Sequence, residues 1–311
     1  KIINKPIEDI NNEELKNVNG VSDLDVVIGG PPCPAFSKSR FYRKEMTHGI
    51  DDPSFSTVKD YFRVIETLHP KFFVFENVHT FAAKRQKGAL EFVLNKAKEI
   101  GYETQWKILN ALNYGVPQKR QRFILIGYLP GYSFYFPEIT HRDPNSNNMF
   151  EVHLPKWKTA GEAIGDLYKE ENGPDLPGHF AGGKDHNLLK DIPPGENYLF
   201  FTEKKGHPNP IFKWRSRYWS FLLKLSPDQP SWTIQARRSN NMGPFHWRSR
   251  ILTISEVKRL QSFPDHFKFS GTIEQQWRQI GNAVPPLLAK CIAQQIAESI
   301  NRRENNGIKA A

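Results

Sequence analysis

Cysteine is scarce in this sequence. The 311 residues include only Cys33 and Cys291, too few for the disulfide framework of a small secreted domain or for a structural zinc site. No apolar run approaches the roughly 18 residues that span a bilayer, and the first segment, KIINKPIEDINNEEL, has neither signal-peptide nor transit-peptide composition. These absences exclude a disulfide scaffold and predict a soluble protein with free thiols in a reducing, cytoplasmic setting.

Acidic residues are outnumbered by basic ones. The sequence has 33 Asp and Glu against 43 Lys and Arg, which gives a formal net charge of +10. An excess of this size predicts a polyanionic partner. Nucleic acid is favoured over an anionic membrane surface, because the sequence shows no basic amphipathic helix.

The first part of the chain alternates between strand and helix patterns. Residues 24–30, 71–78 and 122–130 are short apolar runs of the kind that form buried strands. Apolar residues at helical spacing fill 56–70, which ends at a proline, and 88–102, which contains a glycine stop. This alternation predicts an α/β fold with a doubly wound sheet, whose ligand sites lie at the carboxyl ends of strands.

The composition changes after about residue 137. The chain as far as residue 247 is rich in Pro, Gly, Asn, His and aromatic residues with little periodicity, which predicts a loop-rich lobe. Helical spacing returns at 250–267 and 280–300, and the last helix is expected to pack on the first domain. We therefore expect a first domain at 1–140, a smaller domain at 141–276 and a returning helix at 277–311.

Cys33 directly follows the strand pattern of residues 24–30, so we expect it just beyond the carboxyl edge of the sheet. Nearby positive charge from Lys38 and Arg40 would favour its thiolate. A buried structural cysteine is the alternative for Cys33. That structural interpretation is the one we adopt for Cys291, which lies on the apolar face of the last helix pattern.

Three further segments carry weak signals. Glu76 ends a neighbouring strand, where a carboxylate also serves as a cap or an ion-pair partner. Arg120 and Arg122 are two residues apart, which predicts one face of a starting strand and a common target, or else a solvated basic edge. Residues 281–286, GNAVPP, form a turn before a helix.

Together these segments resemble the S-adenosylmethionine-dependent cytosine-C5 methyltransferases, especially the DNA methylases of bacterial restriction-modification systems. PPCPAFS is similar to the catalytic loop of that family, with Pro34 where many members have Gln. ENV resembles the cytosine-binding motif, QKRQRFILIG the paired-arginine motif, and RILTISEVKRLQSFPD and IGNAVPP the last two motifs. The irregular stretch before them stands in the place of the target-recognition domain. The motifs occur in the family's order over most of the chain.

The resemblance implies a Rossmann-like methyltransferase sheet and a covalent mechanism. A Cys33 thiolate would attack C6 of cytosine, which makes C5 nucleophilic enough to accept a methyl group. A protonated Glu76 would donate at N3 and Arg122 at O2, while Arg120 would support the pocket or the loop that bears Cys33. The target base must leave the duplex stack to reach these groups.

The resemblance also assigns binding residues. The methyl donor S-adenosyl-L-methionine is expected to contact Asp9, Ile10, Pro31, Thr57, Asn282 and Val284. Double-stranded DNA is expected to contact Ser37, Ser39, Arg40, Gln118, Arg237 and Arg238. Residues 37–44 have the composition of a loop that closes over DNA, and residues 236–250 mix Arg, Asn, His and aromatic side chains suited to phosphate and base-edge contacts.

One family feature is missing from this sequence. Members begin with a strand and a loop of the type Phe-x-Gly-x-Gly, which holds the methionine part of the cofactor, whereas this sequence begins near the third family motif, IEDI. Two smaller departures are Ser54, where members often have Arg, and Thr57, where they often have Leu. We expect a complementing polypeptide to supply the strand and loop, or the sequence to lack the protein's amino end.

Two other functions remain open at this point. An RNA cytosine methyltransferase would use the same pocket with a smaller recognition lobe, and the long stretch between LIG and RILT favours DNA. A catalytically silent DNA-binding subunit is the second alternative, against which the intact set of Cys33, Glu76 and Arg122 argues.

Overall fold

The structure of the chain is a computed structural model that describes residues 2–17, 23–32, 52–167 and 177–310, without the side chains of 85 and 304–310. Contacts within it form two compact units. Unit 1 contains residues 1–109, 121–137 and 292–311, and unit 2 contains 110–120 and 138–291. The predicted boundary at 140 lies close to the one at 137, but residues 110–120 and 277–291 associate with unit 2.

A four-stranded sheet forms the centre of unit 1, in the order β1-β2-β4-β3. Its strands are β1 Val26–Gly29, β2 Phe72–Val78, β3 Glu103–Asn110 and β4 Gln121–Tyr128. Strand β1 runs parallel to β2, whereas β4 runs antiparallel to β2. The predicted α/β class is confirmed, and the antiparallel β4 makes the sheet mixed.

Two helices cover one face of this sheet. Helix α2 spans Ser56–Leu68 and helix α3 spans Lys87–Glu99. Helix α2 ends at His69, which has a left-handed backbone (φ 45°), and the chain after α3 turns at Gly101 (φ +89°), where glycine carries no steric penalty. Their apolar stripes pack on the sheet residues of one face and form a core in which most of the large residues are Phe, Val or Tyr: Phe55, Val58, Tyr61, Phe62, Ile65, Phe73, Phe75, Phe81, Val93, Tyr102, Phe123 and Leu125.

The remaining described part of unit 1 is small. Helix α1, Asn12–Lys16, begins with a capping box in which the Asn11 side chain accepts a hydrogen bond from Glu14 N and the Glu14 carboxylate accepts one from Asn11 N. Ile10 and Leu15 pack against Val64 of α2. Arg302 and Arg303, from the carboxyl-terminal helix, lie over the rings of Tyr135 and Tyr132.

Unit 2 consists largely of turns and single-bridge pairings. Its helices are α4 Ala160–Ile164, α5 Ile254–Leu260 and α6 Ile273–Asn282, and α7 Pro286–Ala310 begins in unit 2 and continues into unit 1. Thr253 caps α5 and Thr272 caps α6, each in a capping box. The apolar core of this unit draws on all parts of the irregular stretch: Tyr198, Leu199, Phe201, Leu222, Leu225, Ile234, Phe245, Ile251, Leu260, Trp277 and Ile280.

None of the helices within the described ranges has both the length and the hydropathy needed to cross a membrane.

Candidate active site

The end of strand β1 approaches Glu76 of β2 closely. Gly29 pairs with Phe75, and the next residue, Gly30, lies beside the Glu76 side chain. A Cβ atom built on Gly30 would be 2.9 Å from Glu76 Oε2, a distance that real Cβ atoms do not adopt. The glycine pair ahead of the proline pair therefore leaves space for a carboxylate at the strand end.

Glu76 and Arg122 form an ion pair on one face of the sheet. The antiparallel register sets Glu76 opposite Ile124 and Arg122 opposite Val78, so the two side chains are diagonal neighbours on the same face. Arg122 Nε lies 2.7 Å from Glu76 Oε1, and both side chains are largely buried. Burial lowers the pKa of Arg122 and the adjacent carboxylate opposes that effect, so the guanidinium stays charged.

Two side chains hold the backbone that leads to Cys33. Asn77, which is buried, donates from Nδ2 to the carbonyl oxygen of Pro31 at 3.3 Å. The Thr57 hydroxyl lies 3.3 Å from the carbonyl oxygen of Pro32 and 2.8 Å from that of Ser54. Cys33 itself lies outside the described residues. The described backbone ends at Pro32, one residue before Cys33. The carbonyl groups of Pro31 and Pro32 are held there by Asn77 of β2 and Thr57 of α2.

Arg120 occupies a different environment from Arg122. Its side chain is 1% exposed and belongs to unit 2, where it donates to the carbonyl oxygens of Ile234 (3.0 Å), Gly281 (2.6 Å) and Ala283 (3.1 Å). The expectation that both arginines share one strand face is wrong, because β4 begins at Gln121 and the alternation of a strand does not extend to Arg120. Arg120 is a positioning residue for the carboxyl end of α6, where Asn282 lies.

Gln118 is also part of this buried network and not of a DNA-facing surface. It is 0% exposed, and its amide nitrogen donates to Gln261 Oε1 at 2.6 Å and to the Leu260 carbonyl oxygen at 3.1 Å. Its amide oxygen accepts from the backbone N–H of Ile234 at 3.0 Å. Because both ends of the amide are used inside unit 2, the expected contact between Gln118 and DNA is wrong.

The expected cofactor residues divide between the units. A groove of about 530 Å³ in unit 1 is lined by Glu8, Ile10, Asn11, Asn12, Glu13 and Arg63. Asp9 is exposed beside this groove, and Ile10 turns its side chain into the core. The guanidinium of Arg63 donates to the carbonyl oxygens of Ile7 and Ile10, which fixes the segment. Asn282, which is exposed, and Val284 lie in unit 2.

The expected DNA contacts are partly described. Ser37, Ser39 and Arg40 lie outside the described residues, as does the segment 37–44. Arg237 is exposed, whereas Arg238 is largely buried and bonds the Gly178 carbonyl and Glu274.

The end of segment 236–250 is built into the core of unit 2. Arg250 is buried and makes a two-pronged pair with Glu256, at 2.8 and 2.6 Å. His246 lies 3.5 Å from the same carboxylate, and burial lowers its pKa to about 3. His246 is therefore neutral at ordinary pH, and neither side chain is available to a duplex.

Sequence reasoning missed the supporting residues Gly30, Tyr61 and Asn77. A Cβ on Gly29 would clash with the ring of Tyr61, whose hydroxyl donates to the Val74 carbonyl at 2.7 Å. The doubled glycine ahead of two prolines was a usable signal, because such a pair marks a close approach of backbone to another group. Nothing in the local sequence distinguished Tyr61 from other apolar positions of α2.

Comparison with known proteins places this arrangement in a family. The sequence model of the C-5 cytosine-specific DNA methylases matches residues 1–298. Type II methyltransferase M.SacI of Streptomyces achromogenes is 37% identical over 97% of this chain and 79% of its own length. M.XorII of Xanthomonas oryzae is 30% identical over 96% and 74%. A crystal structure of an E. coli prophage protein, described as a DNA modification methyltransferase, has a TM-score of 0.64 at 21% identity, covering 96% of this chain and 85% of that one. The chain belongs to the C-5 cytosine-specific DNA methylase family.

Proposed function

We propose that this chain methylates C5 of a flipped cytosine in double-stranded DNA through a covalent bond between Cys33 and C6. The observation that carries the proposal is the buried Glu76–Arg122 pair beside Gly30, three residues before Cys33. The family acts on cytosine C5 in DNA with S-adenosyl-L-methionine as methyl donor, and its Type II members serve restriction-modification systems. We place the enzyme on the nucleoid, in the bacterial cytoplasm.

The described residues supply the charge control that the reaction needs. When the Cys33 sulfur adds to C6, electron density moves towards C5, N3 and O2 of the ring. Glu76 would protonate N3 and Arg122 would hydrogen-bond O2, which stabilises the enamine. S-adenosyl-L-methionine would supply the methyl group that C5 accepts, and its sulfonium would leave as the neutral thioether. Loss of the C5 proton to a base, return of the N3 proton to Glu76 and breakage of the C6–S bond then release the product and restore the thiolate.

The ion pair also sets the resting state of Glu76. A guanidinium at 2.7 Å favours the ionised carboxylate in the free chain. A protonated Glu76 is therefore a state of the base-bound enzyme, in which the carboxylate takes a proton from solvent as the flipped base enters and N3 then faces the carboxyl group. The proton moves to the ring as negative charge develops there, and Arg122 remains to hold the carboxylate that is left.

Asn77 and Thr57 act on the nucleophile through the backbone. Their contacts with the Pro31 and Pro32 carbonyls fix the chain that enters the catalytic loop. This role replaces the expected cofactor contact of Thr57, because its hydroxyl proton is directed at carbonyl oxygens. A thiolate must lie within about 3.5 Å of C6 for attack, so such anchoring is worth a large factor in rate.

The described residues fit the nucleoside half of the cofactor. The carboxylates and amides around the groove, Glu8, Asn11, Asn12 and Glu13, suit ribose hydroxyls and an adenine amino group. Asp9 and Ile10 of the adjoining segment and Pro31 after β1 complete the proposed set of unit 1. Asn282 and Val284 are cofactor residues that we propose separately for unit 2. S-adenosyl-L-methionine supplies an activated methyl group when bound, and these side chains hold and orient it.

The direct test uses duplex DNA with 5-fluorocytosine at the target position, which cannot lose a proton from C5. With cofactor and any required complement present, the chain is expected to form a DNA adduct that survives denaturing electrophoresis. Cys33→Ala should form none, and Cys291→Ala, which removes the other thiol, should form it normally.

The other outcomes contradict the proposal in different ways. DNA binding without any adduct would identify a catalytically silent subunit. An adduct with 5-fluorocytosine RNA and none with duplex DNA would identify an RNA enzyme. Methylation mapping of DNA from cells that express the chain with its genomic neighbours then gives the recognition sequence.

We further propose that the free edge of β1 takes another strand from a complementing polypeptide. Among the described residues β1 pairs with β2 alone, which leaves its other edge open. The open edge presents backbone N–H and C=O groups that tend to pair with a further strand, and Ile28 of this strand is 76% exposed. A strand there would carry the glycine-rich loop to the carboxyl end of β1, beside Glu76.

Titration of S-adenosyl-L-methionine tests this partner. The chain alone should bind weakly, and the chain coexpressed with its genomic neighbours should bind at micromolar concentrations, on the order of ordinary substrate affinities. Ile28→Lys should abolish that gain because a charge blocks strand pairing. The control variant Ile108→Lys, on the opposite edge strand β3, should keep that gain in cofactor binding. Tight binding by the chain alone, or restoration by its own upstream residues, would rule out a second polypeptide.

A further inference from the structure

Unit 2 exposes a stretch of basic and aromatic residues that the mechanism does not use. We name residues 204–219 the basic aromatic strip. It contains five Lys or Arg residues and no Asp or Glu. Its large apolar side chains, Ile211, Trp214, Tyr218 and Trp219, are between 37% and 58% exposed. Several large apolar side chains exposed within one short stretch of chain indicate a site of interaction.

The strip is held in place by the core beneath it. The Tyr198 hydroxyl donates to the carbonyl oxygen of Arg217 at 2.9 Å and accepts from its N–H at 3.2 Å. Asn197, which is buried, donates to the carbonyl oxygen of Trp219 at 2.7 Å. Phe212 packs edge-on against the rings of Tyr198 and Phe221. The strip therefore presents its exposed side chains from a fixed backbone, which lowers the entropy lost on binding.

Charge and aromatic rings alternate along the exposed side. Lys204 Nζ lies 4.6 Å from the ring centre of Trp214. Trp219 packs edge-on against Trp232 at 5.6 Å, and Lys119 Nζ lies 4.7 Å from the ring centre of Trp232. Within the part of the chain that is described, no carboxylate forms an ion pair with Lys213 or Arg215. These two cations are available to an anionic partner.

A second copy of the same four residues provides an internal comparison. The sequence WRSR occurs at 214–217 in the strip and again at 247–250. In the second copy Arg250 is fully buried and paired with Glu256. In the first copy both arginines are exposed. The two copies have the same composition but different surroundings. The last arginine of the second copy is paired with a carboxylate, whereas both arginines of the first copy face solvent.

We propose that the basic aromatic strip is a contact surface for duplex DNA, with Lys213 and Arg215 on phosphates and the exposed rings against sugars and base edges. This proposal rests on the proposed function, since it assigns part of the DNA interface of that enzyme. Lys and Arg interleaved with Trp and Tyr, without acidic residues, match a polyanion with flat apolar faces. A protein partner would call for fewer lysines at the centre of the surface.

Binding of a fluorescent DNA duplex, measured by anisotropy between about 50 and 200 mM salt, tests the strip. The Lys213→Gln/Arg215→Gln double variant should bind ~10-fold more weakly at the low end and lose about 1.8 from the slope of log K against log salt, since each phosphate contact contributes ~0.9. The matched control is Lys98→Gln/Lys107→Gln, which removes the same charge from exposed sites of unit 1. Lys213→Arg/Arg215→Lys keeps the charge and should restore binding.

The outcomes separate this proposal from the enzyme function. At saturating DNA the strip variant should methylate at the wild-type rate, with the loss appearing in KM alone. The proposal that the strip contacts DNA is contradicted if the binding curves of the strip variant superimpose on those of the control at every salt concentration. It is also contradicted by a strip variant with normal DNA binding and altered self-association, which would indicate a protein-binding surface. A wild-type chain that binds DNA through the strip but never methylates it contradicts the proposed function alone.

Discussion

Glu76→Gln is expected to lower the single-turnover rate of methyl transfer by about 10²- to 10⁴-fold, the usual range for loss of a positioned acid. Affinity for duplex DNA should change little. The amide has the size of the carboxyl group, so it fits the space beside Gly30. It can donate a hydrogen bond to N3 but has no proton to give to the ring as charge develops there. The defect therefore belongs to the chemical step.

Rapid-quench measurement of methyl transfer, with enzyme in excess over DNA, gives this rate directly. Glu66→Gln is the matched control, because it makes the same change on the exposed side of α2 near Lys96. A rate for Glu76→Gln within about threefold of the control would remove Glu76 from the acid role. Melting temperatures of both variants show whether an unpaired Arg122 has also weakened the fold.

Arg122→Lys tests whether the pair acts as one unit. Lysine keeps the charge but lacks the planar fork that bonds Glu76 while it faces a second acceptor. We compare the single-turnover rate of the double variant Glu76→Gln/Arg122→Lys with the rates of the two single variants. If the two residues act as one unit on N3 and O2, the double variant should be about as slow as the slower single variant. Independent losses that multiply would show that the two residues act at separate places.

Local sequence patterns predicted the elements whose burial is visible as an apolar run or an apolar stripe within the element itself. Strands β1, β2 and β4 are apolar runs, and α2 and α3 have apolar stripes and clear stop signals, so each was placed within a few residues. Strand β3 was missed because it is an edge strand in which Trp106 and Ile108 are exposed among polar residues. An apolar run also carries no direction, so the antiparallel setting of β4 could not be read from it.

The candidate site shows the same limit. Glu76 and Arg122 were found because ENV and the arginine motif resemble those of a known family, and the register of β2 and β4 gives their contact a physical cause. Gln118 was wrongly assigned to the DNA surface, and Arg120 to the strand face of Arg122, because their partners, among them Leu260 and Gly281, are more than a hundred residues away in the chain. Burial created by such distant partners leaves no local pattern.

Arg120→Met should destabilise unit 2 more than any single change at the Glu76–Arg122 pair. It removes a buried cation that donates to the carbonyl oxygens of Ile234, Gly281 and Ala283. The carbonyl oxygens of Ile234 and Gly281 would then be left in a dry interior without that donor, which costs about 1–3 kcal/mol per group, whereas the Ala283 carbonyl keeps a hydrogen bond from Gln261. Some relaxation and water entry are expected, so we place the total at about 3–5 kcal/mol, the range measured when buried ionic contacts are broken.

Calorimetry should show the effect as a melting temperature lowered by roughly 10 °C in the transition of unit 2. Arg278→Met, an exposed arginine of α6, is the matched control and should melt as the wild type does. A melting temperature for Arg120→Met within about 1 °C of that control would contradict the role assigned to the network.

Arg120→Lys separates a positioning role from a catalytic one. The two terminal nitrogens of the Arg120 guanidinium donate to the carbonyl oxygens of Ile234 and Gly281. A lysine has a single ammonium nitrogen, so it cannot reach both carbonyl oxygens at once. The carboxyl end of α6, from Gly281 to Ala283, should loosen, and with it the exposed Asn282 that we propose to hold the cofactor. Assayed well below its melting temperature, the variant should show a raised KM for S-adenosyl-L-methionine with kcat nearly unchanged. A fall in kcat at saturating cofactor, with KM unaltered, would instead show that Arg120 acts on the reacting cytosine. The burial of Arg120 in this network argues against such a role.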